Sequence, residues 1–177
     1  TRAVPLALSL MVALELGGAR VLNGSRAFAL ELRKSTQTAL LAKLGIDHPR
    51  SIAFNDSEAV IKKWTAGWPA ILKPEQGGSG ARMFLLNSPD ELRRLLHDQP
   101  SLWQPDNLLL LQEYFPVDSQ KGIVRMEFLD GKLLYAMRVI SHGAFNLCPS
   151  EACNPEGGGE SHCVIPQAEP VKPVEFY

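Results

Sequence analysis

Lys73 and the glycines that follow it are the residues of this sequence best suited to chemistry. Lys73 closes the apolar run Ala70-Ile71-Leu72 and leads through Pro74 and Glu75 into Gln76-Gly77-Gly78-Ser79-Gly80. Glycine lets a backbone come close to a polyanion and turn its N–H groups towards it, and a lysine at a strand end adds a point charge. Such a loop suits the holding of phosphate. It is neither of the two common phosphate loops: the order G-x-x-x-x-G-K-S/T is absent, and a strand rather than a helix is expected after the glycines. Taken alone, the loop is equally a ligand-free turn between strands.

Two other groups of residues have chemical potential. Leu111-Gln112-Glu113-Tyr114-Phe115-Pro116 ends a leucine-rich run with an acid and an aromatic. That combination suits the edge of an adenine ring, and it equally suits a strand end closed by Glu113, with Asp118 and Lys121 as ordinary loop charges. Further on, Asp130-Gly131 is a favoured two-residue hairpin turn. Counting back from it, Leu129 is expected opposite Lys132, Arg125 opposite Ala136 and Ile123 opposite Arg138. Arg125 and Arg138 then share one face of the hairpin as diagonal neighbours. Like charges so placed suit an anion above them, or else form a solvated face.

The surrounding pattern supplies the elements that must position these groups. A helix is expected over Pro5–Leu16, ended by Gly17-Gly18 and better read as a buried internal helix than as a secretory leader. Arg20-Val21-Leu22 is expected as a short strand before the turn Asn23-Gly24. A helix over Ser35–Leu44 is expected to show an apolar stripe of Ala39, Leu40 and Leu44. Ile52–Phe54 reads as a strand. Asn55 or Asp56 caps a helix reaching Trp64, with Val60, Ile61 and Trp64 inward. Strands are expected at Ala70–Lys73, Arg82–Leu86 and Leu108–Tyr114, the last covered on both faces. Ser88-Pro89-Asp90-Glu91 is a capping box that opens a helix burying Leu92, Leu95 and Leu96. Beyond Ile140 the glycines of Asn154–Glu160 and the prolines of Pro166–Pro173 read as loop.

Composition sets limits. The sequence has 177 residues, 45% of them hydrophobic and 21% charged, with 18 basic and 19 acidic side chains. That is an ordinary globular composition. Near-neutral charge gives no general attraction to nucleic acid or an acidic membrane. Three cysteines, Cys148, Cys153 and Cys163, make a poor disulfide framework, so a reducing cytoplasm is expected. With His142 and His162 they offer zinc-type ligands, but the spacings do not form the usual C-x2-4-C pairs.

In order along the chain, Lys34 at a helix start, Leu-Ala-Lys-Leu-Gly-Ile-Asp-His-Pro (41–49), Trp-Pro-Ala-Ile-Leu-Lys-Pro (68–74), the glycine loop, Leu-Leu-Gln-Glu-Tyr-Phe (110–115) and Val-Arg-Met-Glu-Phe-Leu-Asp-Gly-Lys-Leu-Leu-Tyr-Ala-Met-Arg (124–138) resemble the ATP-grasp superfamily, and within it the glutamate-ligase-like branch of carboxylate–amine ligases. The resemblance spans roughly residues 20–150. It implies an α+β fold: a small α/β subdomain followed by the start of a larger antiparallel-sheet subdomain. Residues 1–30 would end a preceding α/β domain, 31–116 form the small subdomain and hinge, and 117–177 begin the large one.

The resemblance also implies roles. Lys34 and Lys73 match the two ATP lysines. Gln76 and Gly77–Gly80, with Gly78 and Ser79 between, match the loop over the phosphates. Gln112, Glu113, Tyr114 and Phe115 match the adenine hinge, and Asp118 stands near the place of a ribose acid. Arg125 and Arg138 match catalytic arginines facing the γ-phosphate and an acyl-phosphate intermediate. Asn146 falls where the acceptor end is shaped. The family's two Mg2+ ions need a Glu-x-Asn pair that has no match here, since Glu151, Glu156 and Glu160 have the wrong spacing. The sequence is therefore expected to be part of a longer protein, with the metal ligands beyond Tyr177, and to have little activity by itself. The expected function is the ATP-binding part of an ATP-dependent carboxylate–amine ligase acting on a small acid and an amine. A non-catalytic nucleotide-binding module, a phosphotransferase of the same fold and a zinc-binding interaction module are the alternatives.

Overall fold

A computed structural model describes residues 3–77, 82–118, 120–140 and 174–176. They form two compact units that divide between Tyr114 and Phe115. In the first unit, α1 (Ala3–Leu16), α2 (Ser25–Leu32) and α3 (Lys34–Lys43) precede β1 (Ser51–Phe54), α4 (Ser57–Lys63), β2 (Ala70–Pro74), β3 (Phe84–Leu86), α5 (Pro89–Asp98), a 3-10 turn at Pro100–Trp103 and β4 (Leu109–Glu113). The four strands make one antiparallel sheet in the order β1-β4-β2-β3.

Strand alternation sorts the leucine run onto two faces. Leu109 and Leu111 of β4 join Ala70 and Leu72 of β2 in a core with Phe54, Val60, Leu86, Leu92, Leu96 and Leu102. Burying one such leucine stabilises by roughly 1.5–3 kcal/mol. Leu110 and Ile71 are buried too, but on the reverse face. Lys73 pairs with Leu110, and Ile71 with Gln112, so Lys73 and Gln112 also lie on the reverse face. The expectation of a strand covered on both sides holds, and it is what places the lysine away from the hydrophobic core.

Local signals set the helix ends. Gly18 and Gly45 adopt φ +85° and +66°. Each closes a Schellman motif: Ala19 N–H donates to Leu14 O and Gly18 N–H to Glu15 O after α1, with Ile46 to Leu41 and Gly45 to Ala42 after α3. Asp56 caps α4 by accepting from Glu58 and Ala59. Ser88 caps α5, but Glu91 accepts from Asn87 N–H, one residue before the reciprocal partner of a capping box. Val60, Leu92 and Leu96 are buried as expected, and Ile61, Trp64 and Leu95 pack partly against the same core.

Four expectations fail here. No residue of α1 is buried; Leu6, Leu10, Leu14 and Leu16 are exposed. Its end is tied instead by Glu15, which accepts from the amide and hydroxyl of Ser25. Among the described residues Arg20–Leu22 pairs with no strand, and α2 follows the turn at once, started at Ser25 after Gly24. The α3 stripe of Ala39, Leu40 and Leu44 is exposed, because this helix is fixed through its first turn, as described below. Arg82 has φ +57°, which keeps β3 from starting before Phe84.

The second unit contains β5 (Ile123–Leu129), β6 (Lys132–Val139) and β7 (Val174–Phe176), antiparallel in that order. Asp130 and Gly131 both have positive φ, as the expected turn requires. Among the described residues no helix is long and apolar enough to cross a membrane.

Candidate functional site

The end of β2 brings Lys73, Glu75 and Lys34 together. Lys73 extends from the reverse face of the sheet and donates to Gln112 Oε1 on β4. Gln112 Nε2 in turn donates to Ser51 Oγ on β1 at 2.9 Å. Ser51 and Gln112 are direct cross-strand partners, so this chain of polar groups follows from register and runs across three strands.

Two residues beyond Lys73, the chain meets α3. Glu75 is only 1% exposed. Its carboxylate accepts from Ser35 N–H at 3.1 Å and Ser35 Oγ at 2.6 Å, and its carbonyl accepts from Lys34 N–H at 3.3 Å. The Lys34 ammonium bends back to donate to Gly77 O at 2.8 Å and, at 3.5 Å, to Glu75 O. Lys34 and Lys73, 39 positions apart in sequence, are thus brought to one place at the mouth of the glycine loop.

The two lysines act on each other electrostatically. Burial lowers the pKa of Lys73 below the ordinary lysine value, and the neighbouring charge of Lys34 lowers it further. Burial lowers Lys34 as well, with the charges of Glu75 and Glu31 acting in the opposite sense. Two converging, partly desolvated ammonium groups are costly to keep together, and a polyanion between them would relieve that cost.

Both stems of the glycine loop are anchored on one segment. Gln76 Nε2 donates to Asp106 at 2.7 Å. Beyond the loop, Arg82 Nη2 donates to the carbonyls of Leu102 at 2.6 Å, Gln104 at 2.8 Å and Ser101 at 3.3 Å. Gly78, Ser79 and Gly80 lie outside the described residues, as do Asn146, His142, His162, Cys148, Cys153, Cys163, Glu151, Glu156 and Glu160.

The other expected site residues are placed as follows. Glu113 is bound to Arg50 by side-chain contacts of 3.3 and 3.4 Å and a backbone N–H contact of 3.2 Å. These bonds hold its carboxyl below the ordinary range. Its carboxylate is thus committed to Arg50. Tyr114 is half-buried and Phe115 is exposed. Asp118 accepts from the N–H groups of Gln120 and Lys121 in a tight turn. Arg138 Nη1 donates to Lys121 O at 2.9 Å.

The expected register of the arginines is corrected. Leu129 does face Lys132, but the ladder passes over Leu134 at a bulge, so Arg125 faces Met137 and Val124 faces Arg138. Adjacent strand residues point to opposite faces. Arg125 and Arg138 therefore do not share a face, and the pairing argument for an anion above them does not hold.

Sequence reasoning missed Glu75, Ser35, Ser51, Arg50, Asp106 and Arg82. Only Glu75 had a local signal: an acid directly between a strand and a phosphate-type loop is out of place unless it is paired.

Residues 32–151 match the RimK-like ATP-grasp domain. The chain belongs to this ATP-grasp family. Coenzyme γ-F420-2:α-L-glutamate ligase of Methanocaldococcus jannaschii is 27% identical over 134 residues, which is 73% of this chain and 45% of that protein. A RimK domain ATP-grasp protein from Sphaerobacter thermophilus has a TM-score of 0.64 at 19% identity, over 82% of this chain and 55% of that one, a likeness of fold alone. The ATP-grasp ligase PsnB, solved with precursor peptide PsnA2 and AMPPNP, has a TM-score of 0.53 at 29% identity, over 77% of this chain and 42% of its own. The chain thus spans about half, or less, of the length of these relatives. The α+β ATP-grasp fold expected from the sequence is the fold found.

Proposed function

We propose that this chain is the ATP-binding part of an ATP-dependent carboxylate–amine ligase of the glutamate-ligase-like kind. The observation that carries the proposal is the convergence of Lys34 and Lys73 beside the glycine loop. The ligase names of the relatives, and the ATP analogue in the PsnB structure, support it.

In this reading Lys34 and Lys73 neutralise the α- and β-phosphates, and Gln76, Gly77, Gly78, Ser79 and Gly80 form the loop over them. Gln112, Glu113, Tyr114 and Phe115 form the adenine hinge, which offers mainly backbone groups because Glu113 is held by Arg50. Asp118 stands near the ribose and Asn146 towards the acceptor; Arg125 and Arg138 are on opposite faces of the hairpin, so one of the two, and not both, faces the transferring phosphoryl group. An oxygen of the substrate carboxylate attacks the γ-phosphorus of ATP, ADP leaves, and an amine nitrogen displaces phosphate from the acyl carbon. The lysines contribute by positioning and by spreading the negative charge of the transfer. Mg2+ would add Lewis-acid charge neutralisation when bound. Among the described residues no three acidic, His or Cys side chains cluster to hold it, so no step is assigned to it.

The test is ATP consumption by the complete protein against pooled amino acids and short peptides, together with nucleotide binding by the Lys73→Ala variant. Stoichiometric ADP and phosphate release that depends on an acid and an amine is expected. Unchanged binding of ATP by Lys73→Ala would remove the basis of the proposal.

A further inference from the structure

We propose that Glu75 is a positioning residue of the nucleotide site, setting Lys34 against Lys73 by clamping the first turn of α3 to the end of β2. The inference rests on reading the lysine pair as the phosphate site.

A carboxylate is seldom buried unless it is paired and hydrogen-bonded. Glu75 is buried at the strand end where a charge is least welcome, and both of its bonds go to Ser35, forty positions away. Ser35 is the second residue of α3, so the carboxylate meets a helix N–H with no intrahelical partner, at the positive end of the helix dipole. The residue before Ser35 is Lys34, and the residue two before Glu75 is Lys73. One contact therefore fixes the bases of both lysines.

No apolar face does this work for α3. None of its residues is buried, and Ala39, Leu40 and Leu44 are exposed. Its first turn is held by Lys34 N–H to Glu75 O and by the two Ser35 bonds. Gln37 Nε2 also ties α3 to α2, donating to Leu30 O and Glu31 O, but the Glu75 bonds are what join the first turn to the end of β2; without them Lys34 loses its set position relative to Lys73. A carboxylate that served only the fold would have no reason to join the segments carrying the two lysines, bonding the residue next to Lys34 from a position two beyond Lys73.

The experiment measures the dissociation constant of Mg-ATP or its imido analogue for the whole chain, in a double-mutant cycle of Lys34→Ala with Ser35→Ala and with Glu75→Ala. Ser35→Ala removes one clamp bond and leaves the charge, so it serves if Glu75→Ala does not fold. Glu75→Gln keeps the shape and can still bond both Ser35 groups when the hydroxyl reverses its role. Lys34→Ala should weaken binding by about tenfold in the wild-type background, the order expected for a charged hydrogen bond. It should weaken binding less than about threefold where the clamp is broken, a non-additivity that marks action through Lys34. Glu75→Gln should retain affinity within about threefold of wild type. An equal effect of Lys34→Ala in all backgrounds would overturn the positioning role and leave the phosphate site standing. Unchanged affinity in both Lys34→Ala and Lys73→Ala would overturn the phosphate site itself and the role of Glu75 with it.

Discussion

Lys73 on β2 donates its ammonium to Gln112 Oε1 on β4, and Gln112 is held in turn by Ser51 on β1. The acceptor is a neutral amide, so the lysine is oriented without being neutralised and keeps its full charge for a ligand. Gln112→Glu should remove that property: the new carboxylate would pair with Lys73 and compete with an incoming phosphate. The expected result is nucleotide affinity lower by roughly tenfold or more, the scale of a charge-assisted bond diverted to the protein. Gln112→Ala should cost only about three- to tenfold, since the charge survives and only its orientation is lost. Titration calorimetry on the two variants decides; equal losses would show that orientation alone matters.

The lowered lysine values give two pH trends of opposite sign. Phosphate binding needs the ammonium form, so nucleotide affinity should fall as pH rises through the lowered native values of Lys73 and Lys34, below the ordinary lysine range. The stability of the ligand-free protein should change the other way. Between the lowered native value and the ordinary one, the unfolded chain binds more protons than the folded chain, and stability then rises with pH. Binding measured by fluorescence titration and unfolding by urea, both across the alkaline range, should show crossing trends. A parallel decline of both would contradict the pair as described. Lys73→Met should flatten the stability trend most, because both causes acting on Lys73 lower it, whereas Glu75 and Glu31 oppose the lowering of Lys34.

How much of this was legible in the sequence depends on the range of the interaction. The strands β2 and β4, the helix α5 and the turn at Asp130-Gly131 were readable, because leucine runs, a Ser-Pro-Asp-Glu box and an Asp-Gly pair are local signals. Lys34 and Lys73, which the fold brings together, stood out for the same reason. The Glu75–Ser35 clamp was not readable, because the place of Glu75 between a strand and a glycine loop hints that it is paired but does not reveal a partner forty positions away. The face of Arg125 was misread because one bulge residue, Leu134, inverts everything beyond it relative to a two-residue count. The exposure of α1 and α3 was misread because apolar composition states what can be buried, and not what packs against it.

Gly122 and Gly131 offer a controlled comparison in the second unit. Both have positive φ, +60° and +73°. A Cβ on Gly131 would meet nothing within 4 Å, whereas one on Gly122 would lie 2.1 Å from Val139 O. Gly131→Ala should therefore cost only backbone strain, about 1–2 kcal/mol. Gly122→Ala should cost clearly more, roughly 3 kcal/mol or above, because strain adds to a clash with the β6 backbone. Amide exchange of β5 and β6 reads this directly: faster exchange throughout the hairpin is expected for Gly122→Ala and near the turn for Gly131→Ala. Equal effects would mean that the strand end can shift to admit a methyl group.

Arg125 and Arg138 should behave as independent charges. Their partners across the ladder are Met137 and Val124, which puts the two guanidinium groups on opposite faces of β5–β6. Like charges on one face repel measurably, whereas groups separated by the sheet should couple by less than about 0.5 kcal/mol. A double-mutant cycle of Arg125→Ala and Arg138→Ala on unfolding free energy should therefore be additive within that margin. A stabilising non-additivity, in which either single change relieves repulsion and the second adds nothing, would restore the shared face that a simple two-residue count gives. Additivity has a consequence for the ligase reading as well. Two arginines on opposite faces of one ladder do not both meet a phosphoryl group lying against a single face, so removing Arg125 and removing Arg138 should affect kcat and KM in different proportions in the complete protein.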